Sequence, residues 1–175
     1  MKIKKVFGLY GWSGSGKTDL ICRVISYLTK KGLIISTIKH THHNFKIDHE
    51  GKDSYQHRIS GAREVLLGGK NNWALIHNGS KNSNYKLNYL LKKVSNEADL
   101  ILVEGFKNEK IPKIEVYNSQ LNKNIIGLKN LEMKAVVYDK IDANIKKILL
   151  PKFDFRNTKD ISNFIVDYFK KNEKN

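Results

Sequence analysis

Residues 11–18 read Gly-Trp-Ser-Gly-Ser-Gly-Lys-Thr and constrain the fold more than any other stretch of the chain. They fit the spacing Gly, four residues, Gly-Lys-Thr, which is typical of a phosphate-binding loop. The apolar run at 6–10 predicts a buried strand before the loop, and apolar residues at helical spacing between Leu20 and Leu28 predict a helix after it. This order favours a nucleotide-binding α/β domain over an ordinary glycine-rich turn.

The chemistry expected of this loop follows from its residue types. Glycines adopt backbone angles that cost other residues energy, so the amide groups of the loop can turn toward one anion at the positive end of the helix. Lys17 would reach the terminal phosphates, and Thr18 would give its hydroxyl to a magnesium ion. The predicted cofactor-binding residues are Gly11, Ser13, Gly14, Ser15, Gly16, Lys17, Thr18 and Asp19.

A glutamate ends a strongly apolar stretch. Residues 99–105 read Asp-Leu-Ile-Leu-Val-Glu-Gly, and their four consecutive apolar residues predict a central strand buried on both faces. If this strand runs parallel to the first, Glu104 lies on the phosphate-loop side, because ligands of open α/β sheets bind beyond the carboxyl ends of strands. Glu104 is therefore predicted to hold the magnesium ion and, with Lys17, is a candidate catalytic residue. The alternative is a structural acid at a strand end.

A second carboxylate could complete a hydrolase. Asp53 follows a glycine turn at residue 51 and precedes a short helix predicted at 55–60. It is a candidate catalytic acid or water-positioning group, and its position suits a helix cap equally well. Asp48 is a weaker candidate of the same kind.

Five of the six histidines lie between residues 40 and 57. Three of them follow the strand predicted at 33–38, so they should lie at the ligand-binding rim of the sheet. We expect this group, His40, His42 and His43, to bind a substrate or a partner. A metal site and plain exposed loop histidines are the alternatives.

The remaining pattern predicts one domain over residues 1–175 with a three-layer α/β fold and a mostly parallel sheet. Two strand-like runs around a Gly-Gly-Lys-Asn-Asn turn predict a hairpin inserted at about 63–79, as an antiparallel edge or a dimer contact. Helical spacing predicts a helix at 85–94 and a closing amphipathic helix near 161–169. A final strand is predicted at 134–138, a short one is suggested at 125–126, and the tail at 170–175 should fray.

Composition limits the classes of function. The chain carries a formal net charge of +15 from residues spread along its whole length, and only four of its cations are arginines. Without a recognised nucleic-acid-reading motif, this charge indicates solvated surface rather than a nucleic-acid interface. No apolar run is long enough to cross a membrane. One cysteine allows no disulfide within the chain, which fits a cytoplasmic location.

Several short segments occur together in a fixed order. Besides the phosphate loop these are Ile-Lys-His-Thr-His-His at 38–43, Gly-Lys-Asp-Ser at 51–54, Ser-Gly-Ala at 60–62, Leu-Val-Glu-Gly-Phe-Lys at 102–107 and Pro-Lys-Ile-Glu at 112–115. In this combination the chain resembles the molybdopterin-guanine dinucleotide biosynthesis protein B (MobB) family. The resemblance covers residues 3 to about 118 and the strand at 134–139, and it is weak elsewhere.

The resemblance implies a homodimeric, Mg²⁺-dependent GTP-binding adapter with weak GTPase activity. Its partner would be the guanylyltransferase that joins GMP to molybdopterin in molybdenum cofactor assembly, and molybdopterin is a further candidate ligand. Guanine preference depends on the resemblance alone, since the Asn-Lys-x-Asp element of many guanine-binding proteins is absent. Hydrolysis should be slow without an arginine finger, a role left to Arg58 or Arg63 of a dimer partner. The alternatives are a nucleotide-dependent metallochaperone, a small-molecule kinase and a nucleic-acid-binding module.

Overall fold

The computed structural model describes residues 4–41, 45, 47–80, 85–128 and 130–172. The chain divides into two compact units, one made of Met1–His40 with Leu87–Asn175 and the other of Thr41–Lys86. Organisation as a single domain therefore stays a prediction. Of the predicted rim histidines, His42 and His43 lie outside the described residues.

The elements follow one another in strand and helix alternation over most of the first unit. The strands are β1 Val6–Tyr10, β2 Ile35–Lys39, β3 Glu64–Gly68, β4 Trp73–His77, β5 Leu100–Glu104, β6 Lys113–Tyr117, β7 Met133–Tyr138 and β8 Lys152–Asp154. The helices are α1 Lys17–Thr29, α2 Asp53–Ile59, α3 Leu87–Leu91, α4 Ala143–Lys146 and α5 Thr158–Asn172, with one 3₁₀ turn at Ser119–Leu121.

The first unit is built on a parallel sheet of six strands in the order β2-β5-β1-β6-β7-β8. Each neighbouring pair in this sheet is parallel. One face packs against α1 and α5 through a large apolar core, and the other packs against α3 and α4 through two smaller cores. The apolar runs predicted as buried strands are thus covered on both faces, which confirms the three-layer α/β fold.

The second unit contains α2 and the antiparallel pair β3–β4, which confirms the hairpin. Its cross-strand pair Val65 and Ile76 is buried, whereas Leu66 and Trp73 on the opposite face are 67% and 70% exposed. The helix begins at Asp53, two residues earlier than expected, with Lys52 at the N-cap and no side-chain cap bond. Asp53 is therefore the first helical residue and not the cap.

Two predictions of strand position were wrong. The strand at 133–138 is not the last, because β8 adds a sixth strand beyond it. Residues 125–126 do not form a strand; the amide of Ile126 bonds to the Glu115 carboxylate and not to a neighbouring strand. The helix at 87–91 is also shorter than the pattern at 85–94 indicated. No helix among the described residues is long and apolar enough to span a lipid bilayer.

Candidate nucleotide-binding site

The loop between β1 and α1 has the backbone that the glycine spacing predicts. Gly11, Gly14 and Gly16 have φ angles of 147°, 77° and 93°, which favour glycine. Two of them also lie against neighbouring groups, since a Cβ at Gly11 would come within 2.4 Å of the Val116 carbonyl oxygen and one at Gly16 within 2.9 Å of the Phe155 ring. The loop at the N-terminus of α1 therefore requires glycine at both positions.

Polar groups of this loop are available for an anion. The Ser15 side chain is only 4% exposed, and its hydroxyl has no hydrogen-bond partner among the residues that the structure describes. A buried hydroxyl without a partner is costly, and a bound ligand can supply the missing bond. The N-terminus of α1 adds its partial positive charge at the same place. These features fit a phosphate group.

The ammonium group of Lys17 folds back onto the loop. Its Nζ donates to the carbonyl oxygens of Gly11 at 3.1 Å and Trp12 at 2.7 Å. Burial lowers the pKa of Lys17, an effect that the Glu104 carboxylate opposes and the Lys39 ammonium reinforces. Lys17, Glu104 and Lys39 therefore lie close enough to influence one another electrostatically.

The centre of the site is a hydroxyl beside a carboxylate. The Thr18 Oγ1 donates to Glu104 Oε1 at 3.1 Å and lies 3.3 Å from Oε2. Parallel pairing of β1 and β5, with Leu9 opposite Glu104, places this carboxylate at the strand end next to the loop, as the sequence predicted. Both side chains offer hard oxygen donors. Neighbouring ligands of an octahedral Mg²⁺ lie about 3 Å apart, so the pair fits a magnesium ion.

The end of β2 completes the rim on this side of the sheet. Lys39 Nζ lies 3.4 Å from Glu104 Oε1, and the backbone amide of His40 donates to the Glu104 carbonyl oxygen at 2.9 Å. The His40 ring packs on the Phe106 ring with centroids 4.4 Å apart. A Cβ at Gly105 would come within 3.1 Å of the His40 Cβ, so the glycine permits this close approach. The Lys-His segment at 39–40 and the Glu-Gly-Phe segment at 104–106 are therefore in direct contact.

Other predicted site residues have different surroundings. Asp19 pairs with Arg23 one turn along α1 at 3.0 Å. Asp53 lies in the second unit, exposed in the first turn of α2. In that unit Arg58 binds the buried carboxylate of Asp48 at 3.1 Å. Within the described ranges, which omit 42–44, no group of three or more histidine, cysteine or carboxylate side chains could hold a metal ion.

Sequence reasoning missed two buried ions on β6. Lys113 Nζ donates to the carbonyl oxygens of Lys107 at 3.0 Å and Glu109 at 2.5 Å. Glu115 accepts bonds from the amides of Ile126 and Gly127, each at 2.7 Å. The side chains tie down the loop that follows β5 and the loop that precedes β7. Their signal was two charges at alternate positions of an otherwise apolar strand.

Burial explains the electrostatics of this pair. It lowers the pKa of Lys113, and the carboxylates of Glu132 and Glu109 oppose the shift. Burial likewise raises the pKa of Glu115, against the two amide bonds that favour its charged form. Both shifts have the direction expected when a charged group leaves water.

The loop before β7 is also joined to the phosphate loop. The indole Nε1 of Trp12 donates to the carbonyl oxygen of Asn124 at 2.8 Å, and the Lys123 ammonium lies 5.6 Å from the Trp12 ring centroid. Glu115 therefore fixes Ile126 and Gly127 only two residues beyond the group that binds Trp12. The buried carboxylate supports one wall of the candidate site.

Comparisons with known proteins agree on one family. A family model described as molybdopterin guanine dinucleotide synthesis protein B matches residues 6–139. An adapter protein of molybdopterin-guanine dinucleotide biosynthesis from Haemophilus influenzae is 40% identical over 119 residues, 67% of this chain and 66% of the relative, just under two thirds of its length. The relative of the same description from Escherichia coli is 32% identical over 161 residues, 91% of this chain and 90% of the relative.

Solved structures show the same fold. The crystal structure of Bacillus subtilis MobB has a TM-score of 0.73 and 25% identity, and it covers 93% of this chain and 96% of its own. A crystal structure of molybdopterin-guanine biosynthesis protein B has a TM-score of 0.70 at 22% identity, covering 93% and 99%. By its sequence and by its fold, this chain belongs to the MobB family.

Proposed function

We propose that this protein binds Mg-GTP and acts as an adapter in the biosynthesis of molybdopterin guanine dinucleotide, with slow GTP hydrolysis. The observation that carries the nucleotide site is the contact of the Thr18 hydroxyl with the Glu104 carboxylate beside the glycine loop. A hydroxyl from the loop and a nearby carboxylate are the protein groups that commonly hold a magnesium ion at a phosphate loop. The adapter role is supported by the descriptions of the Haemophilus and Escherichia relatives.

In this proposal each group has one task. The loop amides from 11 to 16 and the N-terminus of α1 bind the phosphates, and the Lys17 ammonium exchanges its two carbonyl partners for phosphate oxygens. Thr18 and Glu104 hold the magnesium ion, which would offset phosphate charge and orient the terminal phosphate. Asp53 remains our candidate for the group that positions water, and His40 our candidate for contact with a substrate or partner.

Slow hydrolysis is expected because the arginine on the helix of the phosphate loop is already engaged. Arg23 is bonded to the Asp19 carboxylate and to the Phe155 carbonyl oxygen. Phosphate-loop proteins turn over slowly when no guanidinium offsets the transition-state charge, and Arg58 or Arg63 of a dimer partner remains our candidate for that role. We therefore expect the protein to act mainly in its GTP-bound form, with hydrolysis playing a smaller part.

The partners we propose are the molybdenum cofactor guanylyltransferase, molybdopterin and a second copy of this chain. The exposed apolar face of the hairpin, which carries Leu66 and Trp73, supports the homodimer, because such a face on a two-stranded sheet favours burial against a partner. We place the protein in the cytoplasm, where GTP is available and the thiol of Cys22 would stay reduced.

Calorimetry of GTP and ATP binding in the presence of Mg²⁺ tests the proposal. We expect GTP to bind more tightly than ATP, and Lys17→Ala to weaken GTP binding at least tenfold. Lys159→Ala, an exposed lysine on α5, is the control with the same loss of charge. Equal or tighter binding of ATP would contradict the GTP assignment and favour a small-molecule kinase or a nucleotide-dependent metallochaperone.

A further inference from the structure

The carboxylate at the centre of the candidate site has a second partner besides Thr18. Lys39 stands opposite Glu104 in the register of β2 and β5, and its Nζ lies 3.4 Å from the same oxygen, Oε1, that accepts the Thr18 hydroxyl bond. The Glu104 side chain is 14% exposed and that of Lys39 is 60% exposed. The cation therefore reaches a sheltered carboxylate from the solvent side.

A permanent structural ion pair explains this arrangement poorly. A pair whose lysine is 60% exposed contributes little to stability, because the ammonium stays solvated whether or not it contacts the carboxylate. The strand register is already maintained by backbone pairing along β2 and β5. Lys39 can leave Glu104 at small cost, and the sheet does not depend on its staying there.

The charges in the site indicate what Lys39 does. Lys17 and Lys39 contribute two positive charges and Glu104 one negative charge, so the three groups together are net positive. Both the Glu104 and the Lys39 charges act on the pKa of Lys17, so the three groups share one electrostatic environment. Without Lys39 the charge of Glu104 would be offset only by Lys17, so these groups would carry no net charge and would attract incoming phosphates less strongly.

We propose that Lys39 is a resident counter-ion of Glu104 that stands in for the divalent cation and is displaced when Mg-nucleotide binds. This inference rests on the nucleotide-binding function proposed above. It makes Lys39 a positioning residue, because it holds the carboxylate ready and competes with the metal for the same oxygen. Lys39 should therefore set how much Mg²⁺ the protein needs, and it should also allow some nucleotide binding without metal.

The two consequences have opposite signs, which makes the test specific. We would titrate GTP by calorimetry in EDTA and at a series of Mg²⁺ concentrations. Lys39→Met should weaken metal-free GTP binding about two- to fivefold and lower the half-saturating Mg²⁺ concentration by a similar factor, the range that an exposed ion pair produces. GTP affinity at saturating Mg²⁺ should stay unchanged.

Three further proteins complete the design. Lys39→Arg keeps the charge and should behave like the wild type, whereas Lys39→Gln should repeat the effect of Lys39→Met if the methionine variant folds poorly. Lys159→Met, on α5, removes one exposed charge elsewhere in the same unit and should change neither constant.

The outcomes separate this inference from the proposed function. An unchanged Mg²⁺ requirement in Lys39→Met overturns the inference and leaves GTP binding intact. So does weaker GTP binding at saturating Mg²⁺, because Lys39 would then contact the phosphates directly. If the wild type itself binds neither GTP nor ATP under any condition, the proposed function fails and this inference fails with it.

Discussion

At the scale of single residues, the most consequential side chain outside the phosphate loop is Glu115. It is fully buried, and its two oxygens each accept one backbone amide bond. A buried carboxylate needs such bonds because its transfer from water is costly. Glu115 also fixes the loop whose Asn124 carbonyl oxygen accepts a bond from Trp12. Loss of this carboxylate should therefore also disturb one wall of the candidate site.

We expect Glu115→Gln to lower the free energy of unfolding by about 1–3 kcal/mol. Glutamine keeps one carbonyl oxygen, so one of the two amides at 126 and 127 loses its acceptor and faces an NH₂ group instead. Urea denaturation followed by circular dichroism measures the effect. Glu97→Gln, at an exposed position of the same unit, should change stability by much less; equal effects of the two variants would contradict this role.

The pH dependence of Glu115 has a definite sign. Burial raises its pKa above the ordinary 4.5, so the folded state binds the proton more tightly than the unfolded state does. Stability from this group is then present at low pH and is lost as pH rises through the raised value. The wild type should lose stability over that window relative to Glu115→Gln. Parallel pH profiles of their urea midpoints would argue against a raised pKa.

Gly127 lies where no side chain fits. A Cβ there would be 1.6 Å from the Tyr10 hydroxyl oxygen and 2.6 Å from the Met133 sulfur. Gly127→Ala should lower the free energy of unfolding by about 1–3 kcal/mol, because the surrounding groups must move. Thermal unfolding measures it. Gly68→Ala is the control, because no described atom beyond this glycine and its two chain neighbours would lie within 4 Å of its Cβ. An unchanged melting temperature for Gly127→Ala would show that the loop adapts freely.

At the scale of elements, one arginine joins α1 to the start of α5 and to the segment before it. Arg23 donates to the Phe155 carbonyl oxygen at 2.9 Å and to the Thr158 hydroxyl, and its guanidinium lies 4.6 Å from the Phe155 ring centroid. That ring packs against Gly16 of the phosphate loop. The helix that carries the loop is thereby positioned by a contact 132 residues away along the chain.

Arg23→Met should therefore lower both stability and nucleotide affinity. We expect a loss of about 1–3 kcal/mol in the free energy of unfolding, because two partly buried acceptors lose a charged donor. Asp19→Asn removes only the exposed pair within α1 and should cost less than about 1 kcal/mol. Urea denaturation of both variants checks this difference in stability, and GTP calorimetry of Arg23→Met checks the loss of nucleotide affinity. If Asp19→Asn matched Arg23→Met, the helix pair and not the contact with Phe155 would be responsible.

At the scale of the whole molecule, the hairpin carries the surface that we propose for the homodimer contact. Leu66 and Trp73 expose large apolar surfaces on one face of β3–β4, and this surface would be covered in a homodimer. Leu66→Lys should then shift the protein from dimer to monomer while leaving its unfolding midpoint as a monomer nearly unchanged. Sedimentation velocity across a concentration series measures this shift.

The control for that prediction is Leu149→Lys, which alters a fully exposed leucine outside the hairpin. It should leave the association state as in the wild type. A wild type that sediments as a monomer at every concentration would contradict the dimer. A dimer that Leu66→Lys does not weaken would place the interface elsewhere.

The amino-acid sequence by itself determined the features that depend on neighbouring residues. The glycine spacing of the phosphate loop, its place between a strand and a helix, and the buried strand ending at Glu104 were all legible as local patterns. So was the β3–β4 hairpin, because its turn chemistry and its paired apolar runs lie within about fifteen residues of each other. Short-range preferences are strong enough in these segments to specify their structure.

The tertiary structure alone decided the partners of the charged side chains. The bond between Thr18 and Glu104 joins residues that are 86 positions apart. The partners of Lys113 and Glu115 are backbone groups of loop residues, and nothing in the sequence distinguishes these residues from others in loops. The strand β8 was likewise not predicted, because its three residues carry a charge at each end and show no strand pattern. They form a strand by pairing with the edge of β7. Burial and strand order bring these groups together, and no local preference encodes either.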